Sequence, residues 1–175
     1  YARAMFMDNL PTEMNANVLN DIADLPCNML ASIIYQPIPR AEAANMVKHQ
    51  LTNINENIVR AQKNAVRNNY DPSILPSELS RAKSEAEALR DDMQSRNQKL
   101  FKTSVIVVLF AKTREELEQY TTSLKSVGVT HLAQMKPLSY QQEAGFHSAL
   151  PLADKDVKID RVLSTEASAV FMPFN

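Results

Sequence analysis

The sequence of 175 residues predicts an α+β fold, in which a ferredoxin-like split β-α-β sheet carries a long antiparallel helical hairpin between its two halves. Three observations predict this class. Short apolar segments that alternate or run continuously lie before residue 40 and after residue 100, and such segments are typical of strands. Through the middle, apolar residues recur every three or four positions, which is typical of helices. Prolines separate most of these segments.

The first half of the sheet is expected before residue 40. Residues 1–7 alternate as in a strand and lead into a turn. A short helix follows, for which either Thr12 or Asn15 is a suitable N-cap. Residues 29–36, rich in isoleucine and leucine, predict a second strand that ends at a pair of prolines.

Residues 40–100 predict the inserted helical hairpin. Apolar residues are spaced by four and three in turn, which forms a heptad seam on each of two helices. A proline-containing loop near residue 72 joins them and favours antiparallel pairing over a continuous rod. The domains are therefore expected to be 1–39 with 101–175, and 40–100. The seams consist of Val47, Leu51, Ile54, Ile58, Ala61, Ala65 and of Leu79, Ala82, Ala86, Leu89, Met93, Leu100.

The second half of the sheet begins with residues 104–111, an apolar run that predicts a central strand buried on both faces. Thr113-Arg-Glu-Glu116 is a capping-box sequence and predicts a helix that ends near Gly128. A further strand is expected over 130–138. The following segment is expected to be partly helical over 140–148, and one interpretation ends that helix at Gly145. This order places the helices on one face of the sheet.

Composition excludes several classes of function. The formal net charge of −1 argues against general attraction to nucleic acid or anionic membrane. The two glycines cannot build a phosphate-binding G-x-x-x-x-G-K-[ST] loop or a dinucleotide fingerprint. Cys27 is the only cysteine, which rules out an intramolecular disulfide and fits a reducing, cytoplasmic setting.

No catalytic, cofactor-binding or metal-binding residues are predicted. His49, His131 and His147 lack partners at metal-ligand spacing. The acidic pairs of the second hairpin helix alternate with basic residues, as on a solvated helix face. We therefore expect no active site in this chain.

The candidate protein contacts are Arg60, Lys63, Arg67, Phe171 and Phe174. The three basic residues follow at i, i+3 and i+7 and form one stripe near the hairpin tip. A solvated face, contact with an acidic protein and contact with nucleic acid all stay open for this stripe, although the neutral overall charge argues against nucleic acid. The two phenylalanines belong either to a final strand or to an apolar patch that faces another domain.

The C-terminal third resembles the segment that precedes the nucleotide-binding domain in VirB-type ATPases of conjugative type IV secretion systems, of the FtsK/HerA class. The resemblance depends on Phe146-His-Ser-Ala-Leu-Pro-Leu152, Arg161-Val-Leu-Ser-Thr-Glu166 and Ala169-Val-Phe-Met-Pro-Phe174, in this order. The hairpin and the capped helix are also similar to the N-terminal region of that family. The chain begins without an initiator methionine and is expected to be an excised N-terminal domain.

The resemblance implies a docking and assembly domain of a conjugation ATPase that powers DNA or protein transfer across the cell envelope. ATP and Mg would bind in the C-terminal domain of the parent protein, so no ATP-binding residue is assigned here. The expected partners are inner-membrane channel subunits, the parent ATPase domain and further copies in a hexamer, at the cytoplasmic face of the membrane. No nucleic acid is expected to bind this fragment. The alternative is a self-contained helical-hairpin scaffold or adaptor without enzymatic activity.

Overall fold

The chain forms two compact units. The sheet unit comprises Tyr1–Pro37 and Phe101–Asn175, and the helix-pair unit comprises Ile38–Leu100. The structure is a computed structural model, and it describes residues 1–8, 17–71, 73–152, 155–169 and 171.

The predicted α+β class is confirmed. Within the described residues, five strands form one antiparallel sheet and six helices accompany them. The elements in chain order are β1 (Ala2–Met7), α1 (Val18–Ala23), β2 (Asn28–Pro37), α2 (Arg40–Arg67), α3 (Ser77–Ser95), β3 (Leu100–Phe110), α4 (Arg114–Thr130), β4 (Met135–Pro137), α5 (Gln142–Ala149), β5 (Arg161–Ser164) and α6 (Thr165–Ala169).

Strand β3 is central to the sheet. The strand order is β2-β3-β1-β4, and β5 also pairs with β3. Residues 103–109 of β3 are all buried, because neighbouring strands lie on both sides and other elements cover both faces. The central strand predicted over 104–111 is thus confirmed, but it begins earlier, at Leu100. The prediction that Leu100 belongs to the second hairpin helix is wrong, because that helix ends at Ser95.

Helices α1 and α4 pack against one face of the sheet. The predicted capping box opens α4: Thr113 Oγ1 accepts from Glu116 N at 3.1 Å, and Glu116 Oε2 accepts from Thr113 N at 3.3 Å. Thr12 and Asn15, the predicted caps of α1, lie outside the described residues. The buried core of this face consists of Met5, Met7, Val18, Ile22, Val105, Val107, Leu109, Leu117, Leu124, Ala133, Met135 and Phe171.

The opposite face is covered too, so the prediction of helices on one face is wrong. Helix α5 packs there with the segment that contains Val157, over Ala4, Ile106 and Val108. The helical region expected over 140–148 is confirmed as α5, but the helix continues through Gly145 to Ala149 and does not end at that glycine. A Cβ at Gly145 would lie 2.7 Å from the Cβ of Ala4 and would overlap Leu138, so glycine permits the close approach of α5 to the sheet.

The sheet ends at β4, which is short. The strand predicted over 130–138 is confirmed only for Met135–Pro137, because α4 continues through Gly128 to Thr130. Beyond β4, the side chain of Gln142 takes the place of a further backbone partner. Its Oε1 accepts from Ala4 N at 2.7 Å, and its Nε2 donates to Ala4 O at 3.0 Å. Leu138 N also donates to Ala4 O, at 3.0 Å, so a backbone group and a side chain together satisfy this residue of β1.

In the helix-pair unit, α2 and α3 pack along the predicted seams. Val47 on early α2 shares a buried cluster with Met93 on late α3, and Ile54 and Ile58 share another with Ala86. This pairing of the start of one helix with the end of the other makes the two helices antiparallel. The chain turns between them at Asn69, whose φ of 55° is in the left-handed region that asparagine tolerates.

Candidate docking surface on helix α2

The three predicted basic residues lie together on the last turns of α2. Arg60, Lys63 and Arg67 are all exposed, on the side of the helix that does not pack against α3. Arg60 pairs only weakly with Glu56, at 4.0 Å. Within the described part of the chain, neither Lys63 nor Arg67 forms an ion pair. Two positive charges of this helix therefore face solvent without compensation.

Two apolar residues accompany these charges. Val59 and Val66 are 46 % and 59 % exposed, and they lie one heptad apart on the same helix. Each follows a seam position by one residue, which rotates it about 100° away from the interface with α3. Neither valine belongs to the predicted seam, although their i, i+7 spacing repeats outside it. We refer to Val59, Arg60, Lys63, Val66 and Arg67 together as the α2 stripe.

The α2 stripe borders two shallow concave regions. One is lined by Val59, Gln62, Lys63, Val66, Arg67 and Ser73, and the other by Thr52, Asn55, Glu56, Val59, Arg60 and Lys63. The shared residues, Val59 and Lys63, make the two regions continuous along the helix. The loop after α2 adds two further exposed apolar side chains, Tyr70 and Ile74. The surface thus combines apolar contact area with positive charge.

The two helices of the pair differ in charge. Helix α2 carries five basic and two acidic side chains, whereas α3 carries three basic and five acidic side chains. The acids of α3 are largely paired with bases of the same helix, as in Arg81–Glu85 at 2.8 Å. Positive potential is therefore concentrated on α2, and a ligand of the α2 stripe is expected to be acidic.

The two predicted phenylalanine contacts are not part of this surface. Phe171 is 2 % exposed and packs in the core of the sheet unit with residues of β1, β3 and α4. Its ring is therefore unavailable to a partner in this structure. Phe174 lies outside the described residues.

The histidines occupy structural positions. His131 was predicted to start a strand, but it caps the C-terminus of α4, where its Nε2 lies 2.6 Å from Asp21 Oδ2. His147 contacts Asp156 at 3.5 Å, and His49 is exposed on α2. In the described ranges, no three histidine, cysteine or acidic side chains are grouped so that they could hold a metal ion.

Cys27 lies beside a cleft of the sheet unit that Glu116 and Tyr120 also line. Burial raises the pKa of the Cys27 thiol, which disfavours the thiolate that a nucleophile requires. This geometry is that of a packing residue at the rim of the sheet.

None of the helices that the structure describes is long and apolar enough to cross a membrane. Comparison with protein-family models and with curated proteins gives no significant match.

Proposed function

We propose that this chain is a non-catalytic docking and assembly domain of a conjugation ATPase of the type IV secretion class. The observation that carries the proposal is the α2 stripe, an exposed surface with both apolar side chains and unpaired positive charge. Such a surface suits recognition of a protein partner, because buried apolar area supplies affinity and charge supplies orientation and rate of association. The order of the three motifs in the C-terminal third supports the family.

The finer fold is part of this proposal: a ferredoxin-like split sheet with α2 and α3 as an inserted helical hairpin. The strand order β2-β3-β1-β4 supports it, because a split β-α-β arrangement places its first and third strands in the centre. Helices α1 and α4 each follow a central strand and pack on one face, as this arrangement requires. Helix α5 on the other face is an addition to that pattern.

The proposed partners are inner-membrane channel subunits, the ATPase domain of the parent protein and further copies in a hexamer. ATP and Mg belong to the ATPase domain in this proposal, and the chain itself lies at the cytoplasmic face of the membrane. The expected ligand of the α2 stripe is an acidic amphipathic segment of a channel subunit. Its apolar side chains would cover Val59 and Val66, and its carboxylates would pair with Lys63 and Arg67.

A binding measurement with two matched variants tests this role. The double variant Lys63→Glu, Arg67→Glu reverses the charge of the α2 stripe, and the double variant Arg81→Glu, Lys83→Glu makes the same change on α3. Pull-down against the inner-membrane channel subunits should lose binding only for the first. Equal binding by both variants, or no binding by the wild-type chain, would contradict the proposed surface.

The absence of catalysis has a separate test. Titration of ATP with Mg into the chain should give no saturable heat, because two glycines cannot form a phosphate-binding loop. Micromolar affinity for the nucleotide would overturn the non-catalytic assignment.

A self-contained helical scaffold is the second candidate, and the packed seam between α2 and α3 favours it. The reading frame of the parent gene distinguishes the two. A G-x-x-x-x-G-K-[ST] sequence downstream of residue 175 supports the ATPase, whereas its absence from the frame supports the scaffold.

A further inference from the structure

Strand β2 forms one edge of the sheet and has unusual chemistry for an edge. It is ten residues long, and its register with β3 runs without a bulge from Asn28 to Pro37. None of its side chains is charged. Edge strands of soluble proteins are usually short, charged, bulged or covered, because their free backbone groups otherwise pair with other chains. Only a proline at its last position interrupts the edge.

The backbone groups that face outward can be identified from the hydrogen-bond pattern. Tyr1 and Ala111 exchange two hydrogen bonds, Tyr1 N to Ala111 O at 2.8 Å and Ala111 N to Tyr1 O at 3.0 Å. In an antiparallel ladder such pairs alternate, so every second residue of β3 from Ala111 backwards bonds to β1. The intervening residues, Phe110, Val108 and Ile106, therefore bond to β2.

The partners of those residues are the even-numbered positions of β2, beginning with Asn28. The bond from Ile38 N to Leu100 O, at 2.9 Å, continues the same alternation. The N–H and C=O groups of Met29, Ala31, Ile33 and Tyr35 consequently point away from the sheet. Of the elements that the structure describes, only β3 pairs with β2.

We propose that this edge binds the same edge of a second copy of the chain, as an antiparallel pair centred on Ser32. This inference is independent of the α2 stripe and goes beyond the docking role. The two-fold register joins Met29 to Tyr35 and Ala31 to Ile33, so that all four outward-facing residues are hydrogen-bonded. It sets Leu30 opposite Ile34 on the other face.

A second copy is the occupant because the edge is complementary to itself. A two-fold axis at Ser32, perpendicular to the sheet, places each face of one sheet beside the same face of the other. Apolar side chains then meet apolar side chains on both faces. A charged residue near the axis would meet its own charge, and β2 has none. Met29, Leu30, Ile33, Ile34 and Tyr35 are half-buried, since the core covers them on one side only.

Sedimentation of the full chain tests the pairing, from low micromolar to near-millimolar concentration. The wild-type chain should show a monomer–dimer equilibrium. Ala31→Pro removes one outward N–H and leaves every bond to β3 intact, so it should raise the dimer dissociation constant by about tenfold or more. Ala31→Thr keeps the N–H group and is the matched control. A wild-type chain that is monomeric throughout, or a folded Ala31→Pro variant that dimerises as well as the control, overturns the proposal.

A charged residue placed at Ser32, on the two-fold axis, tests the register of the pair. This experiment does not require the proline variant to fold. Ser32→Lys and Ser32→Glu each place like charges opposite each other and should be monomeric alone. An equimolar mixture of the two should form a heterodimer. If either variant dimerises alone like the wild type, or if the mixture stays monomeric, the two-fold at Ser32 is wrong.

Discussion

The sheet unit and the helix-pair unit use their charged residues in opposite ways. In the sheet unit, several ion pairs join distant parts of the chain. Arg3 on β1 donates to Glu118 on α4 at 2.6 Å, and Arg161 on β5 pairs with Asp8, directly after β1. The hydrogen bond from Arg3 lowers the pKa of Glu118, so this carboxylate is held in its charged form.

On helix α3 of the helix-pair unit, the ion pairs are local. Arg81 with Glu85 and Lys83 with Glu87 are each four residues apart on α3, and their side chains are largely exposed. Such pairs support one helix by a few tenths of a kcal/mol and do not fix its neighbours.

The two units therefore differ in the surface that each leaves available to a partner. In the sheet unit, several charged side chains form ion pairs between its own elements, and one uncharged strand edge stays open. The helix pair is held by an apolar seam, so its outer face is free to carry the α2 stripe. Four substitutions test this contrast, from the largest expected effect to the smallest.

Leu109→Ala should destabilise the sheet unit most. Leu109 is fully buried at the centre of β3, and its truncation leaves a cavity between the sheet and the two helices of that face. We expect the free energy of unfolding to fall by about 4 kcal/mol. Denaturant unfolding followed by circular dichroism measures the loss. A change below about 1 kcal/mol would mean that this face is not a packed core.

Ile58→Asp should destabilise the helix pair by about 3 kcal/mol, because it buries an unpaired charge in the seam. Val59→Asp, one residue later, is the matched control and should change stability by less than about 0.5 kcal/mol. Hydrogen exchange of the α2 amides localises the effect. Similar losses for both variants would show that the seam is misassigned.

Thr113→Ala should cost about 1 kcal/mol, because it removes the side-chain acceptor of the α4 capping box. Thr113→Ser keeps that acceptor and should cost little. Thermal denaturation compares the two. Equal melting temperatures for the alanine and serine variants would exclude a stabilising role for the cap.

The contacts of Asp8 with two basic side chains predict a small loss of stability at acidic pH. A hydrogen bond from Lys136, with the positive charges of Lys136 and Arg161, lowers the pKa of Asp8. The ionised form is therefore favoured in the folded state, and its contribution is present above the ordinary aspartate pKa of about 3.9. That contribution disappears as the pH falls through the lowered value. The pairs are partly exposed, so we expect on the order of 0.5 kcal/mol.

Urea titrations between neutral pH and pH about 3 measure this dependence, with Asp8→Asn as the variant. The wild-type chain should lose more stability than the variant over that interval. Parallel curves for the two proteins would show that the contacts of Asp8 are not stabilising.

Elements with strong local signals were predictable from the sequence. The uncharged apolar run of β3, the Thr113–Glu116 box and the seam of α2 each determine a structure within a few residues. Helix α5 was predicted over 140–148, close to its observed bounds, although one interpretation ended it at Gly145. Glycine at this position permits the close approach of α5 to Ala4 on the sheet, and no local sequence pattern encodes that long-range contact.

The surfaces were predictable only in part. The basic members of the α2 stripe follow from helical spacing, whereas Val59 and Val66 were missed because apolar residues were assigned to the seam. Phe171 was a candidate protein contact, with a place in a final strand as the alternative, and only tertiary structure shows that it is buried. The open edge of β2 depends on which strands pair across the chain, and strand order is a long-range property that local sequence does not contain.

The amide of Gln142 has a consequence for assembly. Together with Leu138 N, it bonds to the backbone of Ala4 just beyond β4, and β4 itself is three residues long and ends in Pro137, which has no N–H group. The sheet therefore has one edge that can be extended and one that cannot. A molecule with a single such edge can join one neighbour and then has no free end left. Pairing through β2 is thus self-limiting, and it leads to a closed pair and not to a fibre.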